Sequence, residues 1–138
     1  MRRALLMGFC VLFSLACAKV VPRQEPTALA AGAALYQTHC AACHGATGRG
    51  DGPSALRLGV RPPDLTTLSR RNGGRYPSDE VLRLIGGRVP IRGHGGPEMP
   101  IWGDAFLDAR DGYDPRNARR KITLVTDYLG SLQTTEER

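Results

Sequence analysis

The amino-acid sequence predicts one small all-α domain, for three reasons. Near the C-terminus, apolar residues recur at helical spacing, at Ile122, Val125, Leu129 and Leu132. A second stretch, from Ala28 to about Ala42, shows the same spacing, whereas the two-residue alternation that is typical of strands is almost absent. The length of 138 residues leaves room for one ordinary domain.

The N-terminus has the layout of an export signal. Two arginines precede an apolar run from Ala4 to Leu15, and small residues follow the run. We expect this run to be too short to cross a bilayer as a helix. Residues 1–17 are therefore predicted to be an export signal, residues 18–26 a linker or tether, and residues 27–138 the folded domain.

Two interpretations of the signal differ in the fate of Cys17. The triplet Ala16-Cys17-Ala18 fits a cleavage site of small residues, in which case Cys17 plays no part in the mature protein. The stretch that ends at Cys17 also resembles a bacterial lipoprotein signal, which would make Cys17 the lipid-modified first residue. We favour the lipid anchor, because an unpaired thiol at the end of a signal has no structural use. In either case the domain is predicted to be exported to the periplasm.

The charge pattern excludes one class of partner. The chain carries 19 basic and 13 acidic residues, for a net charge of +6, but the basic residues are scattered and no stretch interleaves them with aromatic residues. Nucleic-acid binding is therefore not supported. A modest positive field favours encounter with an acidic redox partner protein, although a solvated arginine-rich surface would look the same.

The motif Cys40-Ala41-Ala42-Cys43-His44 carries the chemistry. Two thiols three positions apart can add to the two vinyl groups of a haem, and the adjacent histidine can place one ring nitrogen on the iron. A redox dithiol, half of a zinc site and a disulfide are the alternatives, and each leaves the histidine unexplained. Zinc would need further ligands, but the other two cysteines, Cys10 and Cys17, lie in the signal. We therefore predict one covalently attached haem c, held by Cys40, Cys43 and His44.

The second axial ligand is predicted to be Met99. Once the signal is removed, this is the one methionine left, and two nearby prolines restrict where its side chain points. Two histidines compete with it: His39 precedes the first attached cysteine and cannot easily reach the opposite haem face, whereas His94 stays an alternative. A thioether ligand favours ferrous iron and would leave no open coordination position, which argues against substrate chemistry at the iron.

The remaining elements follow from local signals. Thr27 can cap the first helix, and Gly32 in its middle invites a packing reason such as close approach by another helix. Residues 45–63 are rich in glycine and proline and are predicted to be a loop ordered by a bound group such as a haem face.

Further along the chain, a middle helix and a last helix are expected. Ser78 offers a cap for the middle helix, which Gly86-Gly87 ends. A turn or short helix is expected at Asp104 to Asp108, and Asp114-Pro115 is a strong start for the last helix.

These features together identify a resemblance. From about residue 28 to residue 132 the chain resembles the class I c-type cytochromes, on the strength of Cys-Ala-Ala-Cys-His-Gly, the later Met-Pro and the terminal amphipathic helix. The resemblance implies a cytochrome c fold and a one-electron carrier that passes electrons between respiratory partners, among them a membrane respiratory complex. Two alternatives stay open: a haem-containing subunit of a larger oxidoreductase complex, and a peroxidase-type enzyme with a displaceable ligand and His94 as its acid/base group.

The resemblance also implies roles for particular residues. In this family the first and last helices cross through a small residue and aromatic residues, and Gly32, Tyr36 and Tyr128 match those positions. A proline carbonyl in the family accepts a hydrogen bond from the other nitrogen of the ligand histidine. Pro53 matches that element, and Pro62 is a second possibility.

Overall fold

The structure, a computed structural model, describes residues 27–58, 61–87, 100–108, 110 and 112–134. These residues form helices and loops, and no strand occurs among them. In the same residues no helix has both the length and the apolar character needed to cross a membrane. The prediction of an all-α domain is therefore confirmed for the described part of the chain.

Several sequence predictions concern residues outside that part. They are the export signal (1–17), the tether (18–26) with the anchor candidate Cys17 before it, and the two competing ligands His94 and Met99. Each of them stays a prediction.

The α-helices follow one another with short connections. They are α1 (Ala28–His39), α2 (Ala41–His44), α3 (Leu68–Arg71), α4 (Ser78–Ile85), α5 (Trp102–Ala105) and α6 (Pro115–Ser131). Two single-turn 3₁₀ helices span Ala55–Arg57 and Leu65–Thr67.

The first helix begins where the sequence indicated and ends earlier than expected. The Thr27 side chain accepts a hydrogen bond from the Ala30 amide at 3.2 Å, so the predicted cap is confirmed. The helix ends at His39 because Cys40 has a φ of −115°, well away from the helical value near −63°. The helix is interrupted at Cys40 and the separate turn α2 follows, so the prediction of one continuous helix to about Ala42 was wrong.

Helices α1 and α6 make the central contact of the fold. Gly32 of α1 is buried, and a methyl group added there would collide with the Leu124 carbonyl and lie 3.0 Å from the Tyr128 Cβ. One turn further on, Tyr36 is fully buried and its ring packs on Tyr128 with 5.4 Å between the ring centroids. The predicted packing reason for Gly32, and the contact implied for the two tyrosines, are both confirmed.

The apolar face of α6 forms most of the core. Its residues Ile122, Val125 and Leu129 are buried, as the helical spacing predicted, and Leu132 is partly buried at the end of the face. Other elements complete the cluster, with buried side chains at Val81, Ile85, Phe106 and Ala118. Helix α6 therefore packs against α1 on one side and against α4 and α5 elsewhere.

The caps of α4 and α6 show how far local signals reach. Asp114 caps α6 by accepting from the Arg116 amide at 2.9 Å, and Pro115 is the first helical residue, as predicted. The prediction that Ser78 caps α4 was wrong, because Pro77 occupies the N-cap position. Ser78 is already inside the helix, and its amide donates to the Tyr76 carbonyl. The middle helix ends at Gly86 as expected. The short helix predicted at 104–108 begins two residues earlier, at Trp102.

A tie between distant parts of the chain was not predicted. The Gln133 amide nitrogen donates to the Leu65 and Leu129 carbonyls, and its amide oxygen accepts from the Ser69 amide, each at 2.8 Å. The end of α6 is thereby joined to the segment of the Leu65–Thr67 turn and α3, which the sequence pattern did not reveal.

Replacing Gly32 with alanine tests the central contact. In a helix without close neighbours this change stabilises by roughly 0.5–1 kcal/mol, because glycine is the poorer helix former. Here the added methyl group meets backbone of α6, so we expect a loss of about 1–3 kcal/mol in the free energy of unfolding. Denaturant unfolding of the haem-loaded protein measures it, and Ala34→Gly, at an exposed position of α1, calibrates the helix propensity. A more stable Gly32→Ala protein would contradict the contact.

Candidate functional site

Helix α2 brings the two cysteines and the histidine of the motif together. The His44 amide donates to the Cys40 carbonyl at 2.9 Å, and the Cys43 amide donates to the same carbonyl at 3.1 Å. Because these residues share one helical turn, the side chains at positions 40 and 43 lie on neighbouring parts of its surface. Both cysteines are half-buried free thiols, and His44 is only 7% exposed.

The chain turns sharply after His44. Gly45 has a φ of +83°, a backbone conformation that residues other than glycine rarely adopt. The turn is closed by the Gly50 amide, which donates to the His44 carbonyl at 2.8 Å, and by the Tyr36 hydroxyl, which donates to the Gly45 carbonyl at 2.7 Å. The main chain on the C-terminal side of His44 is therefore held by hydrogen bonds from two directions.

The loop that follows makes backbone contacts with α2. The Ser54 amide donates to the Ala42 carbonyl at 2.8 Å, and a methyl group on Gly52 would lie only 2.6 Å from the Ala41 carbonyl oxygen. Close approach of two backbones explains why glycine stands at position 52. The described part of the loop is thus fastened to the helix that carries the motif, and it contains the 3₁₀ turn Ala55–Arg57 that the pattern did not indicate.

The two prolines that were candidates for contact with His44 lie in different surroundings. Pro53 is exposed and stands between Gly52 and Ser54, both of which touch the backbone of α2. Pro62 is buried, and its carbonyl oxygen lies against Gly50. A hydrogen bond from the His44 ring to Pro53 stays a prediction.

His39 belongs to an aromatic cluster that sequence reasoning missed. Its ring packs edge-on against Trp102 and Phe106, with 5.2 Å between centroids in each case, and those two rings lie 5.1 Å apart. Partial burial, and secondarily the charge of Lys121, lower the pKa of His39. The cluster connects the start of the motif to α5. No local sequence pattern predicts a contact between residues more than 60 positions apart.

The surroundings of the thiols weigh against the redox-dithiol interpretation. Burial, and to a smaller extent the neighbouring Cys43, raise the pKa of the Cys40 thiol to about 12. Cysteines that exchange disulfides need a lowered pKa, because the thiolate is the reacting form. Among the described residues, no group of three or more His, Cys, Asp and Glu side chains is arranged to hold a metal ion, so a zinc site gains no further ligand there.

The residues present fit a covalently attached haem. The two thiols are free rather than joined to each other, they are half-buried on one helical turn, and a buried imidazole follows directly. Thioether attachment uses two such thiols, and the histidine beside them supplies a nitrogen ligand for iron. Cys40 and Cys43 would hold the edge of the group, and His44 would bind its iron.

Comparison with known proteins gives the same result for the chain as a whole. The family model for cytochrome c matches residues 29–132, which is most of the chain and includes the motif. Searches for similar curated proteins and for similar solved structures found no match. Members of this family carry covalently attached c-type haem and transfer electrons. The chain therefore belongs to the cytochrome c family and is a haem-binding electron carrier.

Proposed function

We propose that the chain is an exported one-electron carrier, in which His44 and Met99 are the two axial ligands of a haem joined to Cys40 and Cys43. The observation that carries the proposal is the buried His44, on the same helical turn as two free thiols. When bound, the haem iron accepts and releases one electron without making or breaking a bond to a substrate.

A ligand pair of histidine and methionine suits that role. The neutral thioether of Met99 stabilises ferrous iron relative to ferric iron and so raises the reduction potential. With both axial positions filled, no site is left at which a substrate could bind the iron. A peroxidase-type enzyme would need such a site, which is why we propose a carrier rather than an enzyme.

Proposed roles for the protein residues divide into attachment and orientation. Cys40 and Cys43 fix the edge of the group, and His44 is oriented by the hydrogen-bonded turn that follows it. We assign to the Pro53 carbonyl the task of accepting from the second ring nitrogen of His44, which would fix the ring plane and increase its basicity. The contacts of Gly52 and Ser54 with α2 support this assignment, because they hold the Pro53 segment beside the motif.

Location and partners complete the proposal. The signal-like segment supports export to the periplasm, and Cys17 at its end supports a lipid anchor with residues 18–26 as the tether. The positive net charge supports acidic redox proteins as partners, either diffusing or part of a membrane respiratory complex in which this chain is a subunit.

Replacing Met99 with alanine tests the ligand pair. We expect the ferric protein to lose the charge-transfer band that reports methionine on iron, and the reduction potential to fall, because the soft ligand is gone. Visible spectroscopy and redox titration measure both. His94→Ala is the control and should keep band and potential.

The opposite result, in which Met99→Ala keeps the band and the potential whereas His94→Ala changes them, would identify His94 as the second ligand in place of Met99. Rapid binding of carbon monoxide by the unmodified ferrous protein would instead show an open position and favour the enzyme.

The protein without haem is expected to be largely unfolded. The buried apolar residues of the described part are few, and the loop after His44 is held by backbone contacts to α2 rather than by a core of its own. A Cys40/Cys43 double serine variant without haem should therefore lose cooperative thermal unfolding, followed by circular dichroism. A cooperative transition like that of the haem-loaded protein would contradict the expectation.

The mature N-terminus decides the anchor. If Cys17 is lipid-modified, intact-mass spectrometry of the protein from its native membranes should give the chain beginning at Cys17, with one haem and the mass of the acyl groups. A Cys17→Ser variant should then appear in the soluble fraction. A wild-type chain that begins after Cys17 would exclude the anchor and leave export untouched.

A further inference from the structure

Tyr36 makes a hydrogen bond at each end of the haem-attachment motif. Its main-chain carbonyl accepts from the Cys40 amide at 2.8 Å, at the first residue of the motif. Its side-chain hydroxyl donates to the Gly45 carbonyl at 2.7 Å, directly after the last residue of the motif. One residue of α1 therefore brackets Cys40 to His44 from both sides.

The hydroxyl of Tyr36 lies in closed surroundings. The residue is fully buried, so bulk water does not reach the hydroxyl. Burial also raises the pKa of Tyr36 far above its ordinary value, so the hydroxyl stays protonated and keeps donating.

The Gly45 carbonyl is well placed to control His44. It is the first carbonyl after the histidine, at the point where the chain bends through the positive φ of Gly45. It also accepts from the Gly48 amide at 3.1 Å, so the Tyr36 hydroxyl acts on a turn that is already closed on its other side. Because Gly45 is bonded directly to His44, a change in this turn would rotate the main chain of His44, and with it the direction in which the imidazole leaves the backbone.

We propose that Tyr36 is a positioning residue for His44, and that its hydroxyl fixes the orientation of the imidazole toward the iron. The same ring packs on Tyr128 at the contact of α1 with α6. Tyr36 thereby connects the central contact of the fold to the ligand. The inference rests on the proposed function, in which His44 is the axial ligand.

Tyr36→Phe is the direct test, because it keeps the ring and removes only the hydroxyl. In a low-spin ferric haem, the paramagnetic shifts of the haem methyl protons depend on the orientation of the axial ligands. We expect the pattern of these shifts in the haem-loaded variant to differ from the wild-type pattern by more than the spread among repeated samples. The resonances of the axial imidazole and the midpoint potential should move with it.

Tyr76→Phe is the matched control. The Tyr76 hydroxyl also donates to a main-chain carbonyl, that of Thr126 at 2.8 Å, and its pKa is likewise raised by burial, but its partner lies on α6 outside the motif. Both variants should unfold more easily than the wild type. Only Tyr36→Phe should change the haem methyl pattern.

Several outcomes would overturn the proposal. A wild-type methyl pattern in Tyr36→Phe would leave the hydroxyl a structural role alone, and an equal change in Tyr76→Phe would show a general response to lost stability. If Tyr36→Phe does not accumulate with haem, 3-fluorotyrosine at position 36 keeps the shape and changes the strength of the donor. It should still shift the methyl pattern, and an unchanged pattern would overturn the proposal.

Failure of the proposed function is recognised separately. The axial imidazole resonances of the wild type can be assigned with ring-labelled histidine and with His39→Gln and His94→Ala variants, which remove the other two histidines one at a time. If they do not belong to His44, the ligand assignment fails whatever Tyr36→Phe does. If they belong to His44 and do not respond to Tyr36→Phe, the positioning role alone fails.

Discussion

The rest of the structure depends on the close approach of α1 and α6 at Gly32. Without a side chain at this position, the Leu124 carbonyl of α6 can lie against the backbone of α1. That proximity allows Tyr36 to be fully buried against Tyr128 one turn later. Tyr36 makes hydrogen bonds to Cys40 and to Gly45. The packing of two helices that are far apart along the chain therefore determines the position of the attachment motif.

The site itself is built from main-chain contacts more than from apolar packing. Gly45 provides a bend that a larger residue would strain, and Gly52 lets the following loop lie against the carbonyls of α2. Carbonyls and amides at such short range fix positions sharply, because a hydrogen bond weakens steeply as its geometry deteriorates. The glycine-rich composition after His44 therefore has a structural purpose, which is to let backbone meet backbone around the motif.

The sequence predicted those features whose partners lie close along the chain. Thr27 and Asp114 bind amides two or three residues away, so their residue types and positions were sufficient. The prediction of Ser78 as the N-cap failed, because a serine before an apolar run can be either the N-cap or the first helical residue. The Gln133 bond to Ser69 and the packing of His39 on Trp102 span more than 60 residues, and no local pattern encodes such pairs. In the candidate site, the two thiols and His44 were predicted from the spacing of the motif. The hydrogen bond from Tyr36 to Gly45 is visible only in the folded structure.

A motif held by main-chain hydrogen bonds suits an electron carrier. Transfer of an electron changes the charge at the iron, and any movement of the ligands in response adds to the barrier. A histidine on a backbone held at Cys40, at Gly45 and through Gly50 has little freedom to respond in that way. If His44 is the iron ligand, as we propose, the fold would therefore hold it in one arrangement that both oxidation states can share.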